Sequence, residues 1–377
     1  MQISQINTIA ELSAANWNAL AGPAYPFMRH EFLLALERSG AVSAQTGWQP
    51  AHLLVTTGGQ LQGVLLLYLK QHSWGEYVFD QQWAQAYRQY GLNYYPKLVS
   101  ALPFTPCAGP RLLLQPGVER MQVWGLLMDF IKQLAVERGL SSWHCLFPES
   151  ADLACLQALG LSIRAGVQFQ WFNQAYQQFD DFLAGMTAAK RKMLKRERRR
   201  VAEQDIRLQR IAGPDIKPDQ WRLFYRFYAD TYLKKGSQPY LSLDFFLEIA
   251  ATMPEYLLLV LAEREGGYIA AALSFTGVDT LYGRYWGCAD EYDALHFEAC
   301  YYQGLEHCIE QGLVRFDSGA QGEHKIARGF APVPTYSAHW LQDPRFAAAV
   351  ADFVQREQLA LADYRQQAQS LLPFRVA

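Results

Sequence analysis

Glu323, His324, Lys325 and Arg328 crowd into a short stretch bounded by Gly319, Gly322 and Gly329, with Gln321 among them. Charged side chains cost free energy away from water unless they are paired, and glycines let a ligand approach the backbone closely. The combination is therefore more than a turn needs. Glu323 and His324 are candidate general bases, since either titrates near neutrality when partly buried. Lys325 and Arg328 could hold a phosphate or carboxylate. The plainer alternative is an ion-pair network closing the last strand.

A second set lies in the first half. Glu76 and Asp80 fall on alternate residues of an apparent strand, with Tyr77 and Phe79 on the other face, so both carboxylates would share one face and suit recognition of an amine. Lys97, after Pro96 and beside Tyr95, is a candidate anion contact. Arg284-Tyr285-Trp286-Gly287-Cys288-Ala289 matches the pyrophosphate phrase R/Q-x-x-G-x-G/A, marking Arg284 and Gly287 as candidate cofactor contacts, although it overlaps a strand and the next helix starts later, near Asp293. In that helix His296, Cys300 and His307 recur on one face, next to Cys308; such a stripe is more often core than metal site, and no metal is expected. Glu298 and the helix's tyrosines could reach a site.

The elements that must position these groups read as a duplication. At 377 residues the chain exceeds one comfortable core. Gly58-Gly59 opens a strand pair ending at Asp80, and Gly266-Gly267 opens another ending at Asp290. Tyr94-Tyr95 and Tyr301-Tyr302 follow at similar offsets. Each half then closes a helix at a glycine, Gly139 or Gly312, before an apolar strand. The first half carries an extra segment, residues 94–117, whose five prolines forbid a regular helix and favour a rigid extended loop. Between the halves, residues 190–200 hold eight basic residues and one acid, Glu197, in a sequence of good helix formers. A helix running to about Gln204 follows, with a positive face suited to phosphate or to solvent.

The six cysteines form no C-x-x-C pair, and the net charge of −2 indicates no global polyanion or membrane attraction. No stretch approaches a membrane span and the start does not resemble a signal peptide, so a soluble cytoplasmic protein is expected. Ser-His-Asp order, Walker loop and Rossmann phrase are all missing, which removes support for hydrolase, kinase and dehydrogenase chemistry.

WGEYVFD (74–80), YYPKL (94–98), PFTP (103–106), GPRLL (109–113), HFEACYYQ (296–303), GAQGEHKIARGF (319–330) and PTYSAHW (334–340) together resemble the FemAB-like predicted N-acyltransferases. The resemblance implies an α/β (α+β) fold of two tandem GNAT-like domains, each a mixed, mostly antiparallel sheet flanked by helices, at 1–178 and 205–377, joined by a basic helix within 179–204. It implies transfer of an acyl or aminoacyl group from acyl-CoA or aminoacyl-tRNA to the amine of a small molecule or peptide. Lys325, in HKIARGF, falls where related proteins carry a donor-end lysine in F-K-x-x-F-G, with His324 in place of the aromatic. On this reading Glu323, His324, Lys325 and Glu76 are catalytic candidates, and Arg284, Gly287, Lys325 and Arg328 contact the donor. Asp80, Tyr95, Lys97 and Glu298 contact the acceptor, in a cleft between domains, and tRNA is a candidate partner of the basic helix. A non-catalytic module binding RNA or an acidic partner through that helix is the alternative.

Overall fold

The computed structural model describes residues 1–320 and 322–375, so Gln321 lies outside the described residues. The chain forms two compact units: Met1–Val167 with Pro334–Tyr364, and Gln168–Val333 with the residues from Arg365. This division differs from the expected boundaries at 178 and 205. The strands Ser162–Phe172 and Ala331–Leu341 each give residues to both units, so each repeat is completed by chain from the other half.

Both units follow one order. The first runs strand Gln2–Ile6, helices Ala14–Ala21 and His30–Arg38, the hairpin His52–Thr57 and Gln60–Leu65, then strand Lys97–Ser100, helix Arg120–Arg138 and strand Ser142–Leu146. The second runs strand Arg207–Ala212, helices Pro218–Leu233 and Leu243–Thr252, the hairpin Leu257–Arg264 and Gly267–Thr276, strand Thr280–Cys288, the helical segment 295–310 and strand Arg315–Asp317. The two hairpins match in detail. Each turns on two residues with positive φ, Gly58 and Gly59 in one and Glu265 and Gly266 in the other, the geometry that agrees with strand twist. Each carries a register shift, opposite Val55/Thr56 and Ala262/Glu263, with Gln62 and Ile269 the extra residues of the second strands. The repeat is thus in register at Gly59 and Gly266.

In the first unit an antiparallel four-stranded sheet holds Gln2–Ile6, His52–Thr57, Gln60–Leu65 and Leu112–Leu114 in that order. Strand Ser142–Leu146 pairs antiparallel with 337–341 and parallel with Lys97–Ser100, which continues to Tyr68–Lys70 and Trp48–Pro50. The core is Leu, Val and Trp from these strands against the helix Arg120–Arg138, with Trp124, Leu127, Ile131 and Trp143 fully buried. In the second unit Arg207–Ala212, Leu257–Arg264, Gly267–Thr276 and Thr280–Cys288 pair antiparallel in sequence order. The last of these pairs parallel with Arg315–Asp317, which pairs antiparallel with 170–172. Mixed, mostly antiparallel sheets flanked by helices are what the sequence led one to expect.

Three local expectations fail. Residues 60–70 are two strands in two sheets, broken at Leu66 and Leu67. Residues 75–80 are not a strand: Gly75 and Tyr77 have φ of 80° and 59°, and Asp80 precedes the helix Gln81–Gln89. Alternation therefore does not explain how Glu76 and Asp80 come together. Tyr94-Tyr95 lies in a loop before a strand, whereas Tyr301-Tyr302 is helical, so the two pairs are not equivalent. The proline-rich segment does exclude helix and contributes the strands Lys97–Ser100 and Leu112–Leu114.

Gly287 shows how tightly the second unit is built. A Cβ there would lie 2.0 Å from the Phe227 carbonyl oxygen on the helix Pro218–Leu233, so the strand and helix backbones touch. Neither backbone can yield cheaply. Gly287→Ala is expected to cost about 1–3 kcal/mol or more, read as a lower denaturant midpoint with unchanged slope. An unchanged midpoint would mean that strand and helix do not meet here.

Candidate active site

The parallel ladder between Thr280–Cys288 and Arg315–Asp317 covers only Thr280 to Tyr282 on one side and Arg315 to Asp317 on the other. From Gly283 onward the longer strand loses this partner, because the shorter one ends. The register shift between Leu273↔Tyr285 and Ser274↔Gly283 leaves Arg284 as the extra residue of a bulge at the same point. A cavity of about 100 Å³ opens there, lined by Ser274, Gly283, Arg284, Tyr285, Trp286, His296, Cys300, Tyr301 and Ser318.

Cys300 and Tyr301 reach it from a π-helical turn, Glu298–Tyr302, set between Leu295–Phe297 and the helix Gln303–Glu310. Such turns re-aim side chains and often mark functional sites. The Tyr301 hydroxyl lies 2.9 Å from His324 Nε2. Burial, then Arg328 and Lys325, push the His324 pKa below its ordinary value, so at neutral pH this imidazole is neutral and able to accept the tyrosine proton. Burial raises the Tyr301 pKa, keeping its proton on. His296 stands edge-on to both Trp286 and Tyr301 and is held down to about 4, first by burial and then by His324 and Arg328. The buried Ser318 Oγ has no hydrogen-bond partner among the described residues, although the Ser318 carbonyl accepts from Lys325.

Lys325 is 2% exposed and its Nζ donates to the carbonyls of Ser318 and Gly319 at 3.0 and 2.9 Å. It fixes the chain just after the short strand, with one donor to spare. Burial lowers its pKa to about 8, against an opposing pull from Asp317. The 3-10 turn Glu323–Arg328 that carries Lys325 and His324 begins and ends at glycines with φ of 105° and 88°, which is what the flanking glycines are for.

The other residues singled out in this unit are differently placed. Arg284 is ion-paired to Asp317 at 3.1 Å, both side chains 3% exposed. Residues 284–288 of the pyrophosphate phrase continue the strand, Gly287 pairs with Ala271, and the helix starts at Leu295. The phrase thus forms no loop at a helix N-terminus. Arg328 is spent on Glu197 and the His324 carbonyl and stacks over Phe297 at 3.4 Å. Glu298 is clamped by two bonds from Arg198, at 3.0 and 3.1 Å, and one from Gln303. Glu323 is exposed. His296, Cys300, His307 and Cys308 make no three-ligand metal cluster among the described residues.

In the first unit Glu76, Asp80, Tyr95 and Lys97 do come together. Lys97, with no exposed surface, reaches Glu76 Oε2 at 2.8 Å, Asp80 Oδ2 at 2.5 Å and Ser73 Oγ at 2.9 Å, and Ser73 meets the Tyr95 hydroxyl at 2.8 Å. Burial raises the Glu76 pKa to about 6 even with Lys97 opposing it. Asp80 is held below its usual range: burial pushes it up, and Lys97 with the Tyr94 hydroxyl more than compensates. Glu76 Oε1 and Asp80 Oδ1 are buried with no donor. Lys70 joins the cluster, over the Trp48 ring at 3.6 Å and lowered to about 7 by burial.

The helix Ala188–Glu203 has two faces. Leu194 and Val201 are buried, while Arg198 pairs with Glu298 and Glu306 and Arg200 with Asp293. On the other face Arg191, Lys192, Lys195, Arg196 and Arg199 line a surface concavity of about 380 Å³. Among the described residues no acid lies within ion-pair distance of Lys190, Arg191, Lys192 or Arg196. No helix of the described residues is long and apolar enough to cross a membrane.

A family profile described as peptidoglycan biosynthesis/recognition matches residues 8–376, and the chain belongs to this FemAB-like family. Solved structures share its fold. FemX is 13% identical over 93% of this chain and all of its own, with a TM-score of 0.52. The C-terminal domain of a putative lysylphosphatidylglycerol synthetase from Agrobacterium fabrum is 10% identical, covering 92% and 96%, with a TM-score of 0.54. L-PGS from Bacillus licheniformis is 11% identical, covering 86% and 96%, with a TM-score of 0.51. Among curated protein sequences none matches significantly.

The lowered Lys325 pKa carries a sign for stability. Between about 8 and the ordinary 10.5 the unfolded chain binds this proton and the folded one does not, so folding stability rises with pH across that window. Lys325→Met is expected to flatten that rise in urea midpoints measured from pH 8 to 10.5. An identical slope would show that Lys325 keeps its solution pKa.

Proposed function

We propose that the protein is an N-acyltransferase whose second unit brings the acyl carbonyl of an activated donor into the cavity at Gly283–Trp286, where an amine attacks it. The carrying observation is the neutral His324 behind Tyr301, at the point where the two strands part. Attack forms the N–C bond and breaks the bond from the carbonyl carbon to the leaving oxygen or sulfur. Tyr301 donates its proton to the leaving atom and recovers the one released by the nitrogen, with His324 holding that proton in between. Lys325 holds the loop that forms the cavity wall, and Arg284 is kept in place by Asp317.

The donor this arrangement favours is an aminoacyl-tRNA. Asp290, Glu291 and Asp293 occupy the segment before the helix at Leu295, where a pyrophosphate would need bare backbone donors, so acyl-CoA is the weaker fit. The uncompensated cations of the helix Ala188–Glu203 suit a polyphosphate backbone. Glu76 and Asp80, each with one buried oxygen lacking a donor, suit the ammonium form of the acceptor. Membership of a family described by peptidoglycan biosynthesis/recognition supports an amine on a cell-wall peptide as that acceptor.

Two experiments test this. Tyr301→Phe and His324→Asn are expected to lower aminoacyl transfer about 10²-fold with little change in melting temperature. The wild-type rate should be flat at neutral pH and fall with acidification at a midpoint below 6.5, as His324 gains its proton. Full activity in both variants would remove the pair from the mechanism. RNA affinity should fall steeply with salt, and Lys192→Glu with Arg196→Glu should weaken binding and lessen the log–log slope by about 2. Stabilisation by acyl-CoA but not by tRNA would reassign the donor. RNA binding with no turnover would favour a non-catalytic module.

A further inference from the structure

Next to Asp80 in the first unit lies an unbroken buried chain of hydrogen-bonding groups that none of the roles above uses. Tyr94 Oη lies 2.6 Å from Asp80 Oδ2 and 3.0 Å from His144 Nε2. His144 Nδ1 lies 2.7 Å from His339 Nδ1, and His339 Nε2 lies 2.8 Å from Ser337 Oγ. His144 and His339 are 1% and 2% exposed, on facing positions of the paired strands Ser142–Leu146 and Ala331–Leu341. Trp83 meets the His339 ring edge-on at 4.8 Å.

Donor and acceptor rules permit one direction along this chain. Asp80 carries Lys97 at 2.5 Å and is a carboxylate, so it only accepts, and the Tyr94 O–H must point to it. Tyr94 Oη is then the acceptor toward His144, whose Nε2 bears the hydrogen and shares it with Ser142 Oγ at 2.9 Å. A neutral imidazole carries one hydrogen, so His144 Nδ1 is bare and accepts from His339 Nδ1–H. His339 Nε2 is bare in turn and accepts the Ser337 hydroxyl. Burial holds both imidazoles neutral: His339 is lowered to about 3, and His144 falls well below its ordinary value.

We infer that His144 and His339 are positioning residues: the one-way chain from Ser337 through both imidazoles fixes the Tyr94 hydroxyl as a donor to Asp80, holding Asp80 ionised with Oδ1 free to accept from an ammonium. The ammonium role rests on the proposed amine acceptor; the chain and its direction do not. The groups facing Asp80 are Lys97, Glu76, Lys70, Tyr94, Tyr95 and Ser73, and those facing the imidazoles are Lys97, Asp80 and Arg164. Among the described residues, Tyr94 couples the two sets through a hydrogen bond to each.

Imidazole ¹⁵N NMR on the full chain without ligand is the direct test. The expected result is His144 protonated at Nε2 and His339 at Nδ1, both neutral at pH 6; reversed tautomers or a charged ring at pH 6 would overturn the assignment. The carboxyl ¹³C resonance of Asp80 should titrate at higher pH in Tyr94→Phe and in His339→Phe than in the wild type. A packing role alone predicts lower stability in His339→Phe with Asp80 unmoved. Should that variant not fold, Ser337→Ala removes only a hydroxyl and is expected to reduce the Nδ1–H share of His339; unchanged tautomers there, with Asp80 unmoved in Tyr94→Phe, would refute the inference. None of these readouts needs turnover, so a correct chain in a protein that transfers nothing would count against the acyltransferase reading alone.

Discussion

A parallel ladder three residues long governs the second unit. Because Arg315–Asp317 stops at Asp317 while Thr280–Cys288 runs on to Cys288, backbone groups that would pair are left without strand partners, and the chain after Asp317 must turn away. Each feature of the candidate site answers that mismatch. The bulge at Arg284 adjusts the longer strand, Lys325 takes up the carbonyls of Ser318 and Gly319, and the glycines around the Glu323–Arg328 turn accept the positive φ needed to bring that lysine underneath. The π-helical turn then sets Tyr301 against His324.

Charge pairing explains which charged residues remain available. Arg284 with Asp317 and Arg328 with Glu197 are buried or nearly so, Glu298 is buried against a half-buried Arg198, and removing one partner of such a pair strands the other. These residues therefore hold elements together. Arg198 and Arg328 tie the inner side of the basic helix to the π-helical turn and to the 3-10 turn respectively. The outer side keeps its uncompensated cations. One helix thus serves packing on one face and presents a positive field on the other, a division of labour that eight basic residues in eleven do not reveal by number.

The repeat, the basic helix and the backbone shape of the glycine-flanked turn were legible because each rests on local signals: paired turn glycines, uninterrupted helix formers, and glycine where φ must be positive. Glu76 and Asp80 were recognised as partners through a strand that does not exist. They meet because the loop before Asp80 folds over Lys97, which periodicity cannot express. Tyr301 was one of several tyrosines until the π turn selected it. His144 and His339 were hidden because a histidine within SSWHCLF or TYSAHW reads as an ordinary strand residue, and only the pairing of His144 with His339 shows the two rings facing. That two strands give residues to both units was hidden for the same reason, since it leaves no mark on composition.

The duplication also shows one opening treated in two ways. Each repeat contains a short parallel ladder, 98–100 with 143–145 in the first and 280–282 with 315–317 in the second, and in each a buried cation donates to carbonyls just beyond it. In the first unit that cation is Arg111, which bonds the carbonyls of Leu146, Cys107, Gly109 and Pro110. The proline-rich segment, with Cys107 and Arg111 wholly buried, is thereby drawn in against the strand end. In the second unit no comparable segment intervenes between the hairpin and the helix, Lys325 binds only two carbonyls, and the space persists as a cavity. A guanidinium that spends its donors on its own backbone fills such a position, whereas an ammonium with a donor to spare leaves room for a ligand. On these grounds the same architectural opening is closed in the first repeat and stays open in the second.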